Sequence, residues 1–287
     1  MGAGTQECKG RFNRVVNPGN AAYLSLMHNI TIQGLNWDRK SSFQRGPAKA
    51  PELIRKALHS GSMNLYSELG VDIGDGTAVN DAGDFGIGEY MSIERITANH
   101  LNGGGKVFTL GGDHSVAYPV IKAHAARYPK LDILQIDAHA DLYDDFEGDK
   151  FSHACPFARI MESGLAVRLV QVGIRTLNPR QAAQAERFGV EIHEMRNLDL
   201  ASIPKFDNPL YLSLDLDGID PAFAPGVSHH EPGGLTSREV INLIQNLDAK
   251  IVGADIVEYN PDRDHEGMTA FLAAKLMKEI IGRMMVD

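Results

Sequence analysis

The stretch Leu131-Asp132-Ile133-Leu134-Gln135-Ile136 runs directly into Asp137-Ala138-His139-Ala140-Asp141, so a largely apolar segment ends in polar side chains at every second position. Residues 131–136 have the length and apolarity of a strand that is covered on both faces. Because alternate residues of a strand point to the same side, Asp137, His139 and Asp141 can project together. The stretch therefore predicts a buried strand with a polar cluster at its carboxyl end.

A second strand is predicted to end in the same way. Residues 211–214 are followed by Asp215-Leu216-Asp217, whose two carboxylates can also share one side. Four carboxylates within about 5 Å of one another would repel by roughly 3 kcal/mol per pair at an effective dielectric constant near 20. Cations between the carboxylates would remove that repulsion, and we therefore expect bound metal here, as two ions.

Short apolar runs alternate with helical stretches along the rest of the chain. The predicted strands are residues 30–35, 107–110, 131–136, 169–172, 190–193, 210–214 and 251–257. The predicted helices are residues 50–58, 92–101, 117–127, 179–188, 237–247 and 268–284. Alternating strands and helices indicate a parallel sheet with right-handed crossovers. We expect a three-layer α/β/α sandwich with a mainly parallel central sheet, formed as a single domain by residues 1–287.

The amino-acid composition limits which binding partners and which cellular compartment are expected. The formal net charge is -9, and lysine and arginine are scattered, which disfavours nucleic acid and membrane surfaces and favours a small cationic substrate. Cys8 and Cys155 are the only cysteines, which excludes a disulfide framework and fits a reducing compartment. No apolar run reaches the roughly 18 residues of a membrane-spanning helix. We expect a cytoplasmic protein, while a removed organelle-targeting peptide stays an alternative.

A glycine-rich turn brings another potential ligand to the acidic cluster. Gly111-Gly112-Asp113-His114-Ser115 follows the predicted strand 107–110, and the two glycines permit a tight turn. Because sites in parallel sheets lie beyond the carboxyl ends of the strands, His114 is expected to point into the same crevice. Asp220, which precedes Pro221, is more simply explained as a residue that fixes a turn than as a further ligand.

Three motifs together resemble the ureohydrolase family, which includes arginases and agmatinases. They are Gly111 to Ser115, Asp137 to Asp141, and Ser213-Leu214-Asp215-Leu216-Asp217-Gly218-Ile219-Asp220-Pro221. The resemblance begins at about residue 28, which leaves residues 1–27 as an N-terminal extension. It implies that His114, Asp137, Asp141 and Asp215 bind one Mn²⁺ ion and that Asp137, His139, Asp215 and Asp217 bind a second. Carboxylates and imidazoles suit Mn²⁺, with nickel or cobalt as alternatives. The family also implies a homotrimer or homohexamer.

The same resemblance implies the reaction and its participants. Two divalent ions acidify a water, which adds to a guanidinium carbon so that urea and an amine are released. His153 would pass a proton to the leaving amine, a role suited to an imidazole. Glu258 would pair with the substrate guanidinium. Asp141 would accept a proton from the activated water, and Asp255 would support the ligands from behind.

Substrate choice depends on the residues that meet the far end of the molecule. Animal-type arginases hold the α-carboxylate and α-amino groups with an Asn and an Asp where this chain has Tyr143 and Asn178, so these two are expected to bind the substrate. Tyr143 and residues 231–235 resemble agmatinases. Residues 143–153 and 175–178 also resemble plant-type arginases, some of which accept agmatine. The acidic loop of Asp144, Asp145, Glu147 and Asp149 would attract a dication, or is a solvated face.

We therefore expect hydrolysis of agmatine to putrescine and urea, a reaction of polyamine biosynthesis. The alternatives are arginase activity, in which L-arginine gives ornithine and urea, and activity on another guanidino acid. Zinc-dependent deacetylases share the general fold, but they lack a ligand like His114. An inactive, metal-binding relative is the non-enzyme alternative, and the presence of every ligand together with His153 and Glu258 argues against it. The roles of His229 and His230 stay open, and Cys155 is expected to pack in the core.

Overall fold

The computed structural model describes residues 30–287 of the chain. Within these residues eight strands are present: β1 (Ile30–Asn36), β2 (Val79–Gly86), β3 (Lys106–Leu110), β4 (Asp132–Ile136), β5 (Arg168–Ile174), β6 (Glu191–Glu194), β7 (Leu210–Asp215) and β8 (Ile251–Val257). The same residues form seven α-helices: α1 (Ala50–Leu58), α2 (Ser92–Leu101), α3 (Ala117–Arg127), α4 (Pro156–Glu162), α5 (Pro179–Phe188), α6 (Ser237–Asn246) and α7 (Met268–Val286).

The eight described strands form one sheet that is parallel throughout. Its order is β2-β1-β3-β8-β7-β4-β5-β6. Helices α1, α6 and α7 cover one face, where Ile54 and Ile280 are fully buried. Helices α2 to α5 cover the other face, where Ile121 and Phe157 are fully buried. The predicted three-layer α/β/α sandwich is confirmed.

Strand register determines where the site can form. The four central strands β3, β8, β7 and β4 lie side by side, and parallel strands end at the same edge of the sheet. Ile136 pairs with Leu214, and Leu214 pairs with Ile256. Asp215, at the end of β7, therefore lies at nearly the same level as Asp137 and Glu258, which follow the neighbouring strands β4 and β8, although up to 121 positions separate these residues in the sequence.

Two elements were missed by the sequence analysis. Strand β2, with sequence VNDAGDFG, lies at an edge of the sheet and is only partly buried, so it lacks the apolar run of the central strands. Helix α4 has only seven residues, too few for a helical periodicity to be recognised. The helix predicted over residues 237–247 ends at Asn246, and it begins with a capping box formed by Thr236 and Glu239.

The structure bears only in part on the predicted domain organisation and on membrane-spanning segments, because it describes residues 30–287. The predicted N-terminal extension, residues 1–27, lies outside the described residues, and the single-domain organisation of the whole chain stays a prediction. Among residues 30–287, no helix is both long and apolar enough to cross a membrane.

Candidate metal centre

The first group of predicted ligands surrounds the imidazole of His114. Its Nδ1 lies 3.1 Å from Asp137 Oδ2, 3.1 Å from Asp141 Oδ2 and 3.0 Å from Asp215 Oδ2. All four residues are buried, and the Nδ1 atom has no partner in hydrogen-bonding geometry. Three carboxylate oxygens and one nitrogen that face a common centre are a ligand set for a divalent cation.

The second group shares Asp137 with the first. His139 Nδ1 lies 3.0 Å from Asp217 Oδ2 and 3.7 Å from Asp137 Oδ1, so the two oxygens of Asp137 face the two groups separately. Ligand atoms of these three residues are close enough to hold one ion. Asp215 uses Oδ1 to accept a hydrogen bond of 2.8 Å from Asp217 N. The structure thus brings together all six residues that were predicted to bind metal.

The electrostatics of these residues fit two cations. Burial, together with the charges of Asp217 and Asp141, raises the pKa of Asp137 to about 7, although His114 opposes the shift. Burial lowers the pKa of His139, but the attraction of Asp217 outweighs this effect and raises the pKa to about 11. Along residues 30–287, none of the four aspartates forms an ion pair with lysine or arginine. Metal ions would replace the protons that now offset these charges.

Unusual backbone conformations hold two of the predicted catalytic residues. Asp141 has a φ of 51° and Glu258 a φ of 62°, both in the left-handed region that non-glycine residues rarely adopt. Glu258 N donates a 2.9 Å hydrogen bond to Gly112 O, which ties the end of β8 to the turn after β3. Gly112 must be glycine, because a Cβ there would lie 1.6 Å from Trp37 O. Strain of this kind is typical of functional sites.

A buried network orients His114 from behind. Its Nε2 lies 3.0 Å from Ser213 Oγ, and Ser213 donates a 2.7 Å hydrogen bond to Asp255 Oδ1. Tyr211 donates a 2.8 Å hydrogen bond to the other oxygen of Asp255. Ser213 therefore accepts from Nε2–H, which leaves the Nδ1 lone pair for a metal. Asp255 therefore supports His114 indirectly, through Ser213. The sequence did not indicate this role for Ser213.

His153 and Glu258 form an ion pair beside the ligands. His153 Nδ1 lies 2.7 Å from Glu258 Oε1, which also accepts a 2.9 Å hydrogen bond from His114 N. Burial lowers the pKa of His153, but the charge of Glu258 outweighs burial and raises it to about 9. Burial raises the pKa of Glu258, and the charge of His153 more than reverses that shift. The second oxygen of Glu258, Oε2, is buried without a partner and is free to accept from a ligand.

A cavity of about 330 Å³ opens above these groups. Its lining includes four metal-ligand candidates, His139, Asp141, Asp215 and Asp217, and both His153 and Glu258. Tyr143 and Asn178 line the same cavity and are joined by a hydrogen bond from Asn178 Nδ2 to the Tyr143 hydroxyl. Asn178 also begins helix α5, where its Oδ1 accepts from Gln181 N at 3.1 Å. The cavity is large enough for an amino-acid-sized guanidino compound.

The acidic loop at the cavity mouth is largely paired with basic side chains. Arg180 forms ion pairs with Asp144 at 2.6 Å and Asp145 at 3.2 Å. Lys40 pairs with Asp149 at 2.6 Å. This pairing corresponds to the solvated-face interpretation of the loop, because three of the four charges that were expected to attract a dication are offset locally, and only Glu147 has no such partner among the described residues.

The remaining residues of interest divide into cavity, turn and core positions. His229 lines the cavity, where burial lowers the pKa of its imidazole, whereas His230 is exposed and bonds to Pro225 O at 2.7 Å. Asp220 accepts from Ala222 N, Gly233 N and Gly234 N, which matches the turn interpretation. Cys155 is fully buried, and burial raises the pKa of its thiol to about 12. Such a thiol packs and does not react.

Three further cavity or support residues were missed by sequence reasoning. Gln135 Nε2 donates to Asp137 Oδ2 at 2.7 Å and so orients the shared carboxylate. Arg175 donates to the carbonyls of Asp217 and Gly218, which fixes the loop that carries the second ligand group. Ser42 contacts His153 Nε2. Gln135 alone carried a local signal, since it points to the same side as Asp137 at the end of β4.

Comparisons with known proteins agree with this geometry. A model of the family described as "Arginase family" matches residues 28–282. Arginase 1, mitochondrial, from Arabidopsis thaliana is 44% identical over 277 residues, covering 88% of this chain and 80% of that protein. The solved structure of an arginase from Medicago truncatula has a TM-score of 0.84 and 38% identity, with 93% of each chain covered. An agmatinase from Bacillus anthracis is 32% identical, covering 88% of this chain and 90% of that protein.

Proposed function

This chain belongs to the arginase family of ureohydrolases, which hydrolyse C–N bonds of guanidino compounds, and we propose that its own substrate is L-arginine. The products would be ornithine and urea. The agmatine preference expected from the sequence is not confirmed, and similarity to the plant arginases favours the arginase alternative. A place in arginine metabolism therefore replaces polyamine biosynthesis as the expected role.

One observation in the cavity carries the choice of arginine. Asn178 Oδ1 is occupied by Gln181 N, so the Asn178 amide must present its NH₂ group to the cavity side. One of its hydrogens is donated to the Tyr143 hydroxyl, which leaves the other amide hydrogen and the hydroxyl hydrogen available. Two adjacent donors suit the α-carboxylate of arginine, a group that agmatine lacks.

The charges around this donor pair support the same choice. The Arg180 guanidinium lies 5.5 Å from the centre of the Tyr143 ring, close to where the carboxylate would lie. Asp144 and Asp145, which would attract a second cationic end, are held by that same Arg180. Among the acidic residues of this loop, only Glu147 has no basic partner in the described residues, so the mouth presents less free negative charge to a dication than the sequence suggests.

We propose that the metal is Mn²⁺, with two ions held by the ligand groups around His114 and His139. Asp137 faces both groups and would be shared between them, and the family resemblance implies that Asp215 would be shared in the same way. When bound, two divalent ions lower the pKa of a water so that it can act as a nucleophile near neutral pH. Oxygen and imidazole ligands without thiolates support manganese, and nickel or cobalt is the alternative that metal substitution would test.

The chain's own groups then have separate tasks. Glu258 Oε2, which is buried and has no partner, is proposed to accept from the substrate guanidinium and to direct its carbon toward the metal ligands. The charged His153 lies beside Glu258 and is proposed to protonate the leaving amine. Asp141, held at a positive φ in the cavity wall, is proposed to accept the proton of the activated water.

The test is a urea-release panel with Mn²⁺ on L-arginine, agmatine and guanidinobutyrate. We expect kcat/KM for arginine to exceed that for agmatine by at least about tenfold, the difference expected when a paired polar group of the site loses its partner. A preference for agmatine would contradict the proposed substrate. Absence of urea from all three compounds with Mn²⁺, Ni²⁺ or Co²⁺ would support the inactive relative.

The donor pair itself is tested with Asn178→Asp. Aspartate keeps the acceptor that begins α5 but replaces the amide donors with a negative charge. We expect kcat/KM for arginine to fall at least about tenfold while that for agmatine is unchanged or rises. Asn197→Asp, a change of the same type outside the cavity lining, is the matched control. An equal loss on both substrates would remove the proposed carboxylate contact.

We further propose a homotrimer or homohexamer in the cytoplasm, from the family resemblance and the reducing-compartment composition. Light scattering on the purified chain would measure the mass of the assembly. Fractionation of cells that express the protein would test its location.

A further inference from the structure

The two ring nitrogens of His153 are contacted from opposite sides. Nδ1 lies 2.7 Å from Glu258 Oε1. Nε2 lies 2.8 Å from Ser42 Oγ, and Ser42 N donates to the same nitrogen at 3.1 Å. Ser42, His153 and Glu258 are therefore linked by a continuous chain of hydrogen bonds.

These hydrogen bonds determine which ring nitrogen of His153 gains and loses a proton. An ionised carboxylate is acceptor only, so Glu258 keeps the Nδ1 hydrogen in both charge states of the ring. In the neutral ring the Nε2 lone pair accepts from the backbone N–H of Ser42. Nε2 is therefore the nitrogen that exchanges its proton, and its nearest hydroxyl is that of Ser42.

Ser42 lies between this nitrogen and solvent. The His153 residue is only 7% exposed, whereas Ser42 is exposed. Ser42 lines both the 330 Å³ cavity and a neighbouring outer cavity of about 440 Å³. Within residues 30–287, no other side chain is hydrogen-bonded to His153 Nε2. The Ser42 hydroxyl is therefore the described side-chain group that both contacts Nε2 and reaches the exposed surface.

The position of Ser42 is set by the loop of residues 38–46, which we name the Ser42 loop. Asp38 Oδ2 accepts from Gly46 N at 2.8 Å and closes the loop on itself. Lys40 N donates to Asp113 Oδ2 at 2.9 Å, and Lys40 O accepts from His153 N at 3.2 Å. The loop is thus tied both to the turn after β3 and to the histidine that Ser42 contacts.

We propose that Ser42 is a positioning residue for His153 and that its hydroxyl carries the proton exchanged between Nε2 and solvent. In uptake, the Oγ–H proton passes to the Nε2 lone pair while Oγ accepts a proton from a water or a buffer acid. In release, Nε2–H gives its proton to Oγ, which passes its own hydrogen to water. Ser42 ends each exchange as a neutral hydroxyl. The proposal rests on the function proposed above, in which His153 protonates the leaving amine.

The exchange takes place in a field of several charged groups. The titratable groups that face His153 from the surrounding elements are Glu258 after β8, Asp113 after β3, Asp141 after β4, and His229 in the loop before α6. Variants at Ser42 leave all of these groups in place, so a change in the pH profile would report on the hydroxyl alone.

The experiment compares Ser42→Thr with Ser42→Val, which have nearly the same size but differ in the hydroxyl. We expect kcat of the Thr variant to stay within about threefold of the parent and that of the Val variant to fall about tenfold or more, with metal content and KM retained. Added imidazole, a small proton carrier, should raise kcat of the Val variant and leave the parent unchanged. Ser41→Ala, which removes the neighbouring hydroxyl that contacts Asp113, should match the parent.

Nitrogen-15 NMR of the histidine ring gives a measurement that needs no turnover. In manganese-free protein, exchange of the His153 Nε2 proton with water should be slower in the Val variant than in the Thr variant. Equal exchange rates, or an equal loss of kcat in the two variants, would overturn the role of the hydroxyl. Should the parent release no urea from any guanidino substrate, the proposed function fails, and the NMR comparison still decides the role of Ser42.

Discussion

Two groups of aspartates lie within the same crevice, and they differ in burial and in partners. Asp144, Asp145 and Asp149 at the mouth have side chains that are 39–52% exposed, and each pairs with Arg180 or Lys40. At the strand ends the four aspartates among the ligand candidates are buried, and among the described residues none of them pairs with lysine or arginine; only the imidazoles of His114 and His139 lie beside them. Exposed pairs contribute little energy, whereas unpaired buried charges are costly. The comparison shows that burial without a lysine or arginine partner, and not acidity alone, distinguishes the candidate metal centre.

The largest effect is expected from removing the carboxylate charge that both ligand groups share. Asp137→Asn should lose most of the bound metal and at least about a thousandfold of kcat, because the activated water depends on the ions. Elemental analysis and urea release would measure the two losses. Asp144→Asn makes the same chemical change at the mouth and should keep both metal and activity. Full metal content in Asp137→Asn would break the distinction between the two groups.

The next largest effect is expected at the ion pair beside the ligands. His153→Asn should keep its metal but lower kcat about a hundredfold, the size typical of a lost general acid. Urea release under saturating arginine, together with metal analysis, separates the two quantities. An unchanged kcat would exclude His153 as the proton donor.

The stability of His153→Asn relative to the parent is expected to depend on pH. Burial lowers the pKa of His153, but Glu258 raises it from 6.5 to about 9. A group with a raised folded pKa stabilises the fold fully below its unfolded pKa, and this contribution is lost as pH rises through the folded value. The free energy of unfolding of the parent should therefore exceed that of His153→Asn most below pH 6.5, and the difference should shrink as pH passes about 9. Urea unfolding of the metal-free proteins across this range measures it, and a pH-independent difference would contradict the ion pair.

A smaller effect is expected from the residues that orient the ligands. Ser213→Ala removes the acceptor for His114 Nε2–H and should weaken metal binding about tenfold. Tyr211→Phe leaves Ser213 in place and removes one hydrogen bond to Asp255, so its effect should be smaller. Titration with Mn²⁺ gives both affinities. Unchanged affinity in Ser213→Ala would mean that His114 is held by packing alone.

The smallest effect is expected at the mouth. The double variant Asp144→Asn and Asp145→Asn should change KM for agmatine by less than about threefold, because Arg180 already offsets both charges. Steady-state kinetics at low and high salt would measure the change. A tenfold rise in KM at low salt would restore the acidic loop as an attractor of dications.

The fold was predictable because its signal is local. The continuous apolar runs of the central strands and the periodic helices indicated a parallel sandwich without any knowledge of contacts. The polar edge strand β2 and the short helix α4 carried no such pattern, so packing against neighbours decided them. The metal-ligand candidates were likewise recognisable, because alternation along one strand already groups Asp137, His139 and Asp141.

Hydrogen bonds between residues far apart in the sequence could not be predicted from the spacing of residue types. Ser42 is 111 positions from His153, and Ser213 is 99 positions from His114, and neither serine stands in a pattern that indicates a partner. The donor pair of Tyr143 and Asn178 was located by resemblance, but the direction of its hydrogen bonds followed only from the start of helix α5.

By itself the sequence determined the layered parallel architecture and the kinds of groups gathered at the strand ends, because periodicity and strand alternation act between near neighbours. The tertiary structure alone decided which aspartates have basic partners, which nitrogen of each histidine is free, and which donors face the substrate. These properties depend on distances between segments far apart in the chain, and electrostatic and hydrogen-bond energies change steeply over those distances.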